Sequence, residues 1–191
     1  MTRLLALAAA LLVLGSSSAS AQRRGRWREP RRPPPISIDA LQQVTAACQS
    51  AFEGYDNEQA CMATVHQSGT RFAVGPIVAA CESAFDGDDN ELACVAAAVG
   101  AWQEPSAAIA ACESAFDGDD NELRCVRTLA GSWLSASAVL ACESAFDGDD
   151  NEQRCLETLV GTRYEPAELV RYCESSFDGD DNELACLAQY R

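Results

Sequence analysis

The residues best equipped for chemistry in this chain are acids and cysteines, and both come in sets. The hexapeptide Asp86-Gly87-Asp88-Asp89-Asn90-Glu91 offers oxygen ligands at alternate positions, Asp86, Asp88 and Asn90, the order in which a calcium loop supplies its first three. The same trio recurs as Asp117, Asp119 and Asn121, as Asp147, Asp149 and Asn151, and as Asp178, Asp180 and Asn182. The rest of the loop departs from an EF-hand. Glu91 stands where glycine makes the turn, and the twelfth positions, Ala97, Thr128, Thr158 and Gln189, bring no bidentate carboxylate. Two readings stay open: weak calcium binding, and helix capping. In the second, Asp88 caps a following helix, Glu91 completes an acidic capping box, and the carboxylates complement the positive helix end.

Each acidic loop sits between two cysteines with twelve residues between them: Cys48 and Cys61, Cys81 and Cys94, Cys112 and Cys125, Cys142 and Cys155, Cys173 and Cys186. The gaps from one pair to the next vary between 16 and 19 residues, whereas the internal gap does not vary. Five internal disulfides are therefore predicted. Zinc is the rival chemistry, but its ligand pairs sit two to four residues apart, and the lone His66 adds little.

These sets require a scaffold that repeats with them. The leading cysteines lie 33, 31, 30 and 31 residues apart, a period that suits one helical hairpin per repeat. Ile77, Cys81 and Phe85 are spaced by four, and Leu92, Val95, Val99 and Trp102 by three, four and three, which draws a helical stripe rather than strand alternation. Pro76, Pro105 and Pro166 are expected to open first helices, and Gly87, Gly118, Gly148 and Gly179 to turn the chain between helices. Since Cys81 and Cys94 flank that turn symmetrically, they stand at one height on antiparallel helices, and Ala80 and Ala84 allow a close approach. The fold class is thus all-α: a solenoid of five αα-hairpin repeats of period about 31, at 39–70, 75–103, 105–134, 135–164 and 165–191, each with its own disulfide.

The N-terminal residues have a different character. Arg3, the apolar run Leu4–Leu14 and the small residues Ala19-Ser20-Ala21 predict a signal peptide over 1–21, cleaved near Ala21, hence a secreted or periplasmic protein. Residues 22–38 are rich in arginine and proline and are expected to form a disordered tail, with Trp27 among its arginines. Residues 22–35 carry a net charge of +5, and residues 36–191 a net charge of −21. The acidic body should repel nucleic acid, and no second long apolar run offers a membrane span. A protein, or an anionic envelope polymer met by the tail, is the expected partner.

The phrase Phe-Asp-x-x-x-x-x-Leu, as in Phe85-Asp86 with Leu92, resembles an uncharacterised family of short helical repeats with a Phe-Asp turn before each second helix; the regular cysteine pairs are a departure from it. In architecture the chain looks like secreted Sel1-like repeat proteins, which implies a disulfide-stapled solenoid. Neither resemblance implies an activity. No catalytic residue is expected, because His66 lacks an orienting partner and Ser83, Ser114, Ser144 and Ser175 recur with the repeat. No cofactor is expected beyond weakly bound calcium. Trp102, Trp133 and Tyr164 are expected to pack between repeats. The expectation overall is a non-catalytic binding or scaffold module, with a calcium-binding structural protein as the alternative.

Overall fold

The computed structural model describes residues 37–191, so the signal peptide and most of the Arg/Pro-rich segment lie outside the described residues. Among the described residues there are ten helices and no strand. They pair as α1 (Ile38–Ala51) with α2 (Tyr55–Ser68), α3 (Val74–Ala84) with α4 (Asp88–Ala98), α5 (Pro105–Ala115) with α6 (Asp119–Ala130), α7 (Ala136–Ala145) with α8 (Asp149–Leu159), and α9 (Pro166–Ser176) with α10 (Asp180–Ala188). Odd helices pack on odd neighbours and even on even, giving a two-layer solenoid. All turns within hairpins fall on one edge of the stack, and all junctions between repeats fall on the other.

Helices of this length are marginal in isolation. Burial between the layers holds them. Ile77, Ile109, Val139 and Val170 fill the odd layer, while Val95, Val126, Leu156 and Leu187 fill the even one. The five bridges, Cys48–Cys61, Cys81–Cys94, Cys112–Cys125, Cys142–Cys155 and Cys173–Cys186, cross between the two helices of each hairpin with Cα atoms 5.7–5.9 Å apart. All ten cysteines are buried, so the disulfides form the midline of the core. Closing a loop of this size contributes about 3 kcal/mol per bridge in the chain-entropy account. Five disulfides are also the mark of an oxidising compartment.

The Phe-Asp-Gly-Asp turn is built the same way in repeats 2 to 5. The phenylalanine leaves the helix in an extended conformation while its N–H still bonds the leading cysteine's carbonyl, as from Phe85 to Cys81 at 3.0 Å. Glycine follows at φ 85–89°, a region in which a side chain would be strained, and its carbonyl accepts the first bonds of the next helix. The rings of Phe52, Phe85, Phe116 and Phe146 are 3% exposed under the following repeat; Phe177, on which no described repeat stacks, is 44% exposed.

Three expectations change in detail. Asp88 is the first residue of α4, not its cap: Gly87 is the N-cap and no side chain bonds the exposed N–H groups there. The capping box is therefore absent, although Asp88, Asp89 and Glu91 still place negative charge on the first turn, where the helix dipole favours it. Pro105 and Pro166 open their helices, but α3 starts at Val74, before Pro76, because the extended Ala73 already supplies the entry. Ser37 and Ile38 belong to the start of α1 rather than to a tail, since the Ser37 hydroxyl accepts the Ala40 N–H at 3.1 Å.

Candidate functional site

The acidic edge is a ladder. Within each turn the asparagine side chain donates to the carbonyl at the start of the turn: Asn90 to Asp86 at 3.2 Å, Asn121 to Asp117 at 3.1 Å, Asn151 to Asp147 at 3.2 Å and Asn182 to Asp178 at 2.9 Å. The same amide nitrogen then reaches the first aspartate of the next repeat's second helix. Asn57 donates to Asp88 and Asn90 to Asp119; Asn121 donates to Asp149 at 2.6 Å and Asn151 to Asp180 at 2.5 Å. Asp149 also accepts the Asp117 N–H at 3.2 Å. The three ligand-type positions of one loop are thus tied to three places: to the loop itself, to the preceding repeat and to the following one. Charge-assisted bonds of this kind are among the stronger ones available to a side chain.

This ladder explains the one divergent loop. Tyr55 occupies in repeat 1 the place that Asp88 holds in repeat 2, and no described repeat precedes it with an asparagine to accept. An aspartate there would have no partner, and the tyrosine is exposed.

Behind the ladder lies a second row of acids, which sequence spacing offered as capping-box partners and not as buried groups. Glu91, Glu122, Glu152 and Glu183 are only 6–8% exposed, and Oε2 of each is buried without a hydrogen-bond partner. Burial first, and then the charges of Asp119 and Asp149 respectively, push the carboxyls of Glu122 and Glu152 up to about 7. Glu91 and Glu183 are raised for the same reasons, burial first and then the charges of Asp88 and Asp180 respectively. Asp86 acts on Glu122 and Asp117 on Glu152 across the repeat boundary, so neighbouring turns share one field. Among the described residues, no three His, Cys, Asp or Glu side chains are arranged to hold a metal ion.

The opposite edge is aromatic. Arg71, Trp102, Trp133 and Tyr164 stand one at each junction at a spacing of 31 residues. The Arg71 guanidinium lies 4.9 Å over the Trp102 ring, and Trp102 meets Trp133 at 5.5 Å and 34°. The aromatic residues do not pack away between repeats as expected: Trp102 is 48%, Trp133 73% and Tyr164 57% exposed. Small hydroxyls hold the junctions instead. Buried Ser132 accepts the Leu134 N–H and donates to the Leu129 carbonyl, while Thr162 accepts the Tyr164 N–H and donates to the Tyr190 carbonyl. The large rings are left standing outward.

Two cavities open along this edge. One, of about 320 Å3, lies between Trp133 and Tyr164 above Leu159 and Pro166. The other, of about 340 Å3, is walled by Tyr164, Tyr172 and Tyr190, with Leu169, Glu165 and Glu168 completing it. Tyr190 meets Tyr164 at 5.4 Å and 85° and Tyr172 at 6.0 Å and 88°. A hydrogen bond with Tyr172 holds the Tyr190 phenol above its usual pKa. The regular spacing of 71, 102, 133 and 164 was a signal available in the sequence. Tyr172 and Tyr190 carried none, because they have no counterparts in other repeats. His66 is exposed. Among the described residues every cysteine is bridged. The chain matches no protein-family model, no curated protein and no solved structure.

Proposed function

We propose that the array is a non-catalytic binding module, exported after cleavage of its signal peptide near Ala21 to act in the periplasm or outside the cell. It holds a partner protein or envelope polymer along the aromatic edge. The observation that carries this reading is the column of Trp102, Trp133 and Tyr164, large rings left 48–73% exposed at consecutive junctions. Contiguous exposed aromatics on a rigid frame are the composition of interaction hot spots, and their removal costs binding rather than folding. The acids, by contrast, recur identically in successive repeats, as structural elements do and a single active centre does not. The test is capture of partners from the native envelope by the full exported chain and by a Trp102→Ala/Trp133→Ala variant. The variant should lose specific capture about tenfold or more at an unchanged melting temperature. Equal capture by both would refute the reading.

A second reading, a calcium-stabilised structural protein, is favoured by one observation. The unpartnered Oε2 atoms of Glu122 and Glu152 lie in the field of acids from two adjacent turns, including Asp117, Asp119 and Asp149. A divalent ion held there with the Asp86, Asp88 and Asn90 sets would relieve that repulsion.

A further inference from the structure

We propose that the cavity walled by Tyr164, Tyr172 and Tyr190 is a receptor site for a quaternary ammonium group of the choline type. The proposal deepens the binding-module reading and rests on it, by naming the ligand chemistry at one end of the aromatic edge.

The shape of the walls is the first argument. Both Tyr164 and Tyr172 stand nearly perpendicular to Tyr190, at 85° and 88°, with centroids 5.4 and 6.0 Å away. Mutually perpendicular aromatic walls form a corner rather than a platform. A planar cation stacks on a single face, as the Arg71 guanidinium does on Trp102. A corner suits a rounded cation that presents charge in every direction, and ring quadrupoles attract such a cation at each wall.

The lining chemistry narrows the choice further. Leu169 contributes an apolar surface, and no arginine among the described residues lines the cavity. A primary ammonium carries three N–H donors, and any that face Leu169 or ring carbon lose their water without a replacement acceptor. A trimethylammonium has no donors and buries methyl groups against the same surface without that loss. Glu165 and Glu168 supply negative charge at the cavity. Glu165 is already engaged in capping α9, its Oε2 accepting the Glu168 N–H at 2.7 Å. Glu168 keeps an exposed carboxylate. Two acids also discriminate against ligands that carry their own carboxylate beside the ammonium. The volume of about 340 Å3 admits the headgroup with its short hydroxyethyl arm and is typical of small-molecule sites.

Contacts within the chain hold these residues in position. Thr162 ties the Tyr190 carbonyl at 3.1 Å and the Tyr164 N–H at 3.3 Å, and the Tyr172 ring packs edge-on against Tyr190. The corner is therefore braced from its backbone and by ring packing, so little ordering is lost on binding.

The test uses the full exported chain with its disulfides intact. Choline chloride is titrated while tyrosine ring resonances are followed, with 3,3-dimethylbutan-1-ol as the neutral isostere and sodium chloride as the ionic control. Choline should shift the rings of Tyr164, Tyr172 and Tyr190 saturably, with about tenfold or greater preference over the isostere and no response to sodium. Tyr172→Phe should stay within about threefold of the parent, Tyr172→Leu should lose about tenfold, and Glu168→Gln should weaken choline but not the isostere. Melting temperatures of all variants should match the parent, since Tyr172 and Glu168 are surface residues. Vesicles of phosphatidylcholine form a further arm. Binding that free choline displaces assigns the group to a lipid headgroup, and choline binding without vesicle binding assigns it to a free solute; both support the site. Equal affinity for the neutral isostere, an unaffected Tyr172→Leu variant, or no saturable shift up to about 100 mM choline would overturn it. Those results would leave the capture experiment on Trp102 and Trp133 standing, because neither tryptophan lines this cavity.

Discussion

Replacing Glu122 and Glu152 together by glutamine should make the protein more stable at pH 8 and leave it unchanged at pH 4. Both carboxyls are 6–8% exposed, each has an unpartnered buried oxygen, and each is raised from 4.5 to about 7 by burial and neighbouring aspartates. The folded protein holds these two protons where the unfolded chain has released them. Stability contributed by that retention is complete below pH 4.5 and is lost as pH rises toward 7. Each full displacement is worth up to about 3 kcal/mol, and relaxation at the solvent-facing turn reduces it to about 2 kcal/mol per group. Between pH 4.5 and 8 the parent should therefore lose about 4 kcal/mol, a fall in melting temperature of about 8–16 °C for an array of this length. Glu104 and Glu157 have the opposite sign. At Glu104 desolvation is the largest single effect and raises the pKa, but bonds from Ser106 and Ala107 together outweigh it. At Glu157 bonds from Gln153 and Arg124 outweigh desolvation. Both are therefore lowered, and their contribution is lost only as pH falls below 4.5. The two windows do not overlap. Thermal unfolding followed by far-UV circular dichroism from pH 4 to 9, parent beside the double variant, measures the difference directly. Parallel profiles for the two proteins, or a parent that gains stability between pH 5 and 8, would refute the assignment of buried, proton-holding glutamates.

Two further outcomes follow from the acidic edge. Asn121→Ala removes the bond to Asp149 and the bond to the Asp117 carbonyl, and should cost about 1–3 kcal/mol, whereas Asn182→Ala, which has only the local bond to Asp178, should cost about 1 kcal/mol or less; equal losses in denaturant titrations would show that the ladder between repeats carries no weight. Millimolar calcium should raise the melting temperature more than sodium at equal ionic strength if cations bridge adjacent turns, and a calorimetric titration with no heat and no shift would remove calcium from consideration.

The parts of the fold that depend on local arithmetic were legible in sequence. A constant gap of twelve residues, symmetrical about a glycine, forces the two cysteines to one height on a hairpin, and the helical stripes could be read from Ile77, Cys81 and Phe85. The roles of the acids were not legible, because Asp88 and Asn90 look like neighbours in one loop while their partners are Asn57 and Asp119, 31 and 29 residues away. A motif read along the chain assumes convergence, whereas stacking splits it. The divergent Tyr55 was the available clue, since a position facing the preceding repeat has reason to change in the first one. The cap was misplaced by one residue for a related cause: a glycine at positive φ ends the turn so tightly that the helix begins at once, leaving no room for a side-chain cap. Trp102 and Trp133 continue the stripe in register, but the helices stop short of them, so a pattern that buries Val95 and Val126 delivers the rings to solvent.

The position of the bridges has a bearing on how such a protein survives among proteases. Every exposed acidic turn lies inside a covalently closed ring, between Cys81 and Cys94 for example. A single cut in that turn opens the ring without freeing either fragment, and the two helices stay joined through buried sulfur while the layers around them remain packed. The junctions on the other edge have no such tether. A cut there divides the chain into pieces held only by packing and hydrogen bonds. Resistance to nicking is therefore unequal on the two edges: each acidic turn can be cut once without loss of connectivity, and the integrity of the whole depends on the short junctions that carry Arg71, Trp102, Trp133 and Tyr164.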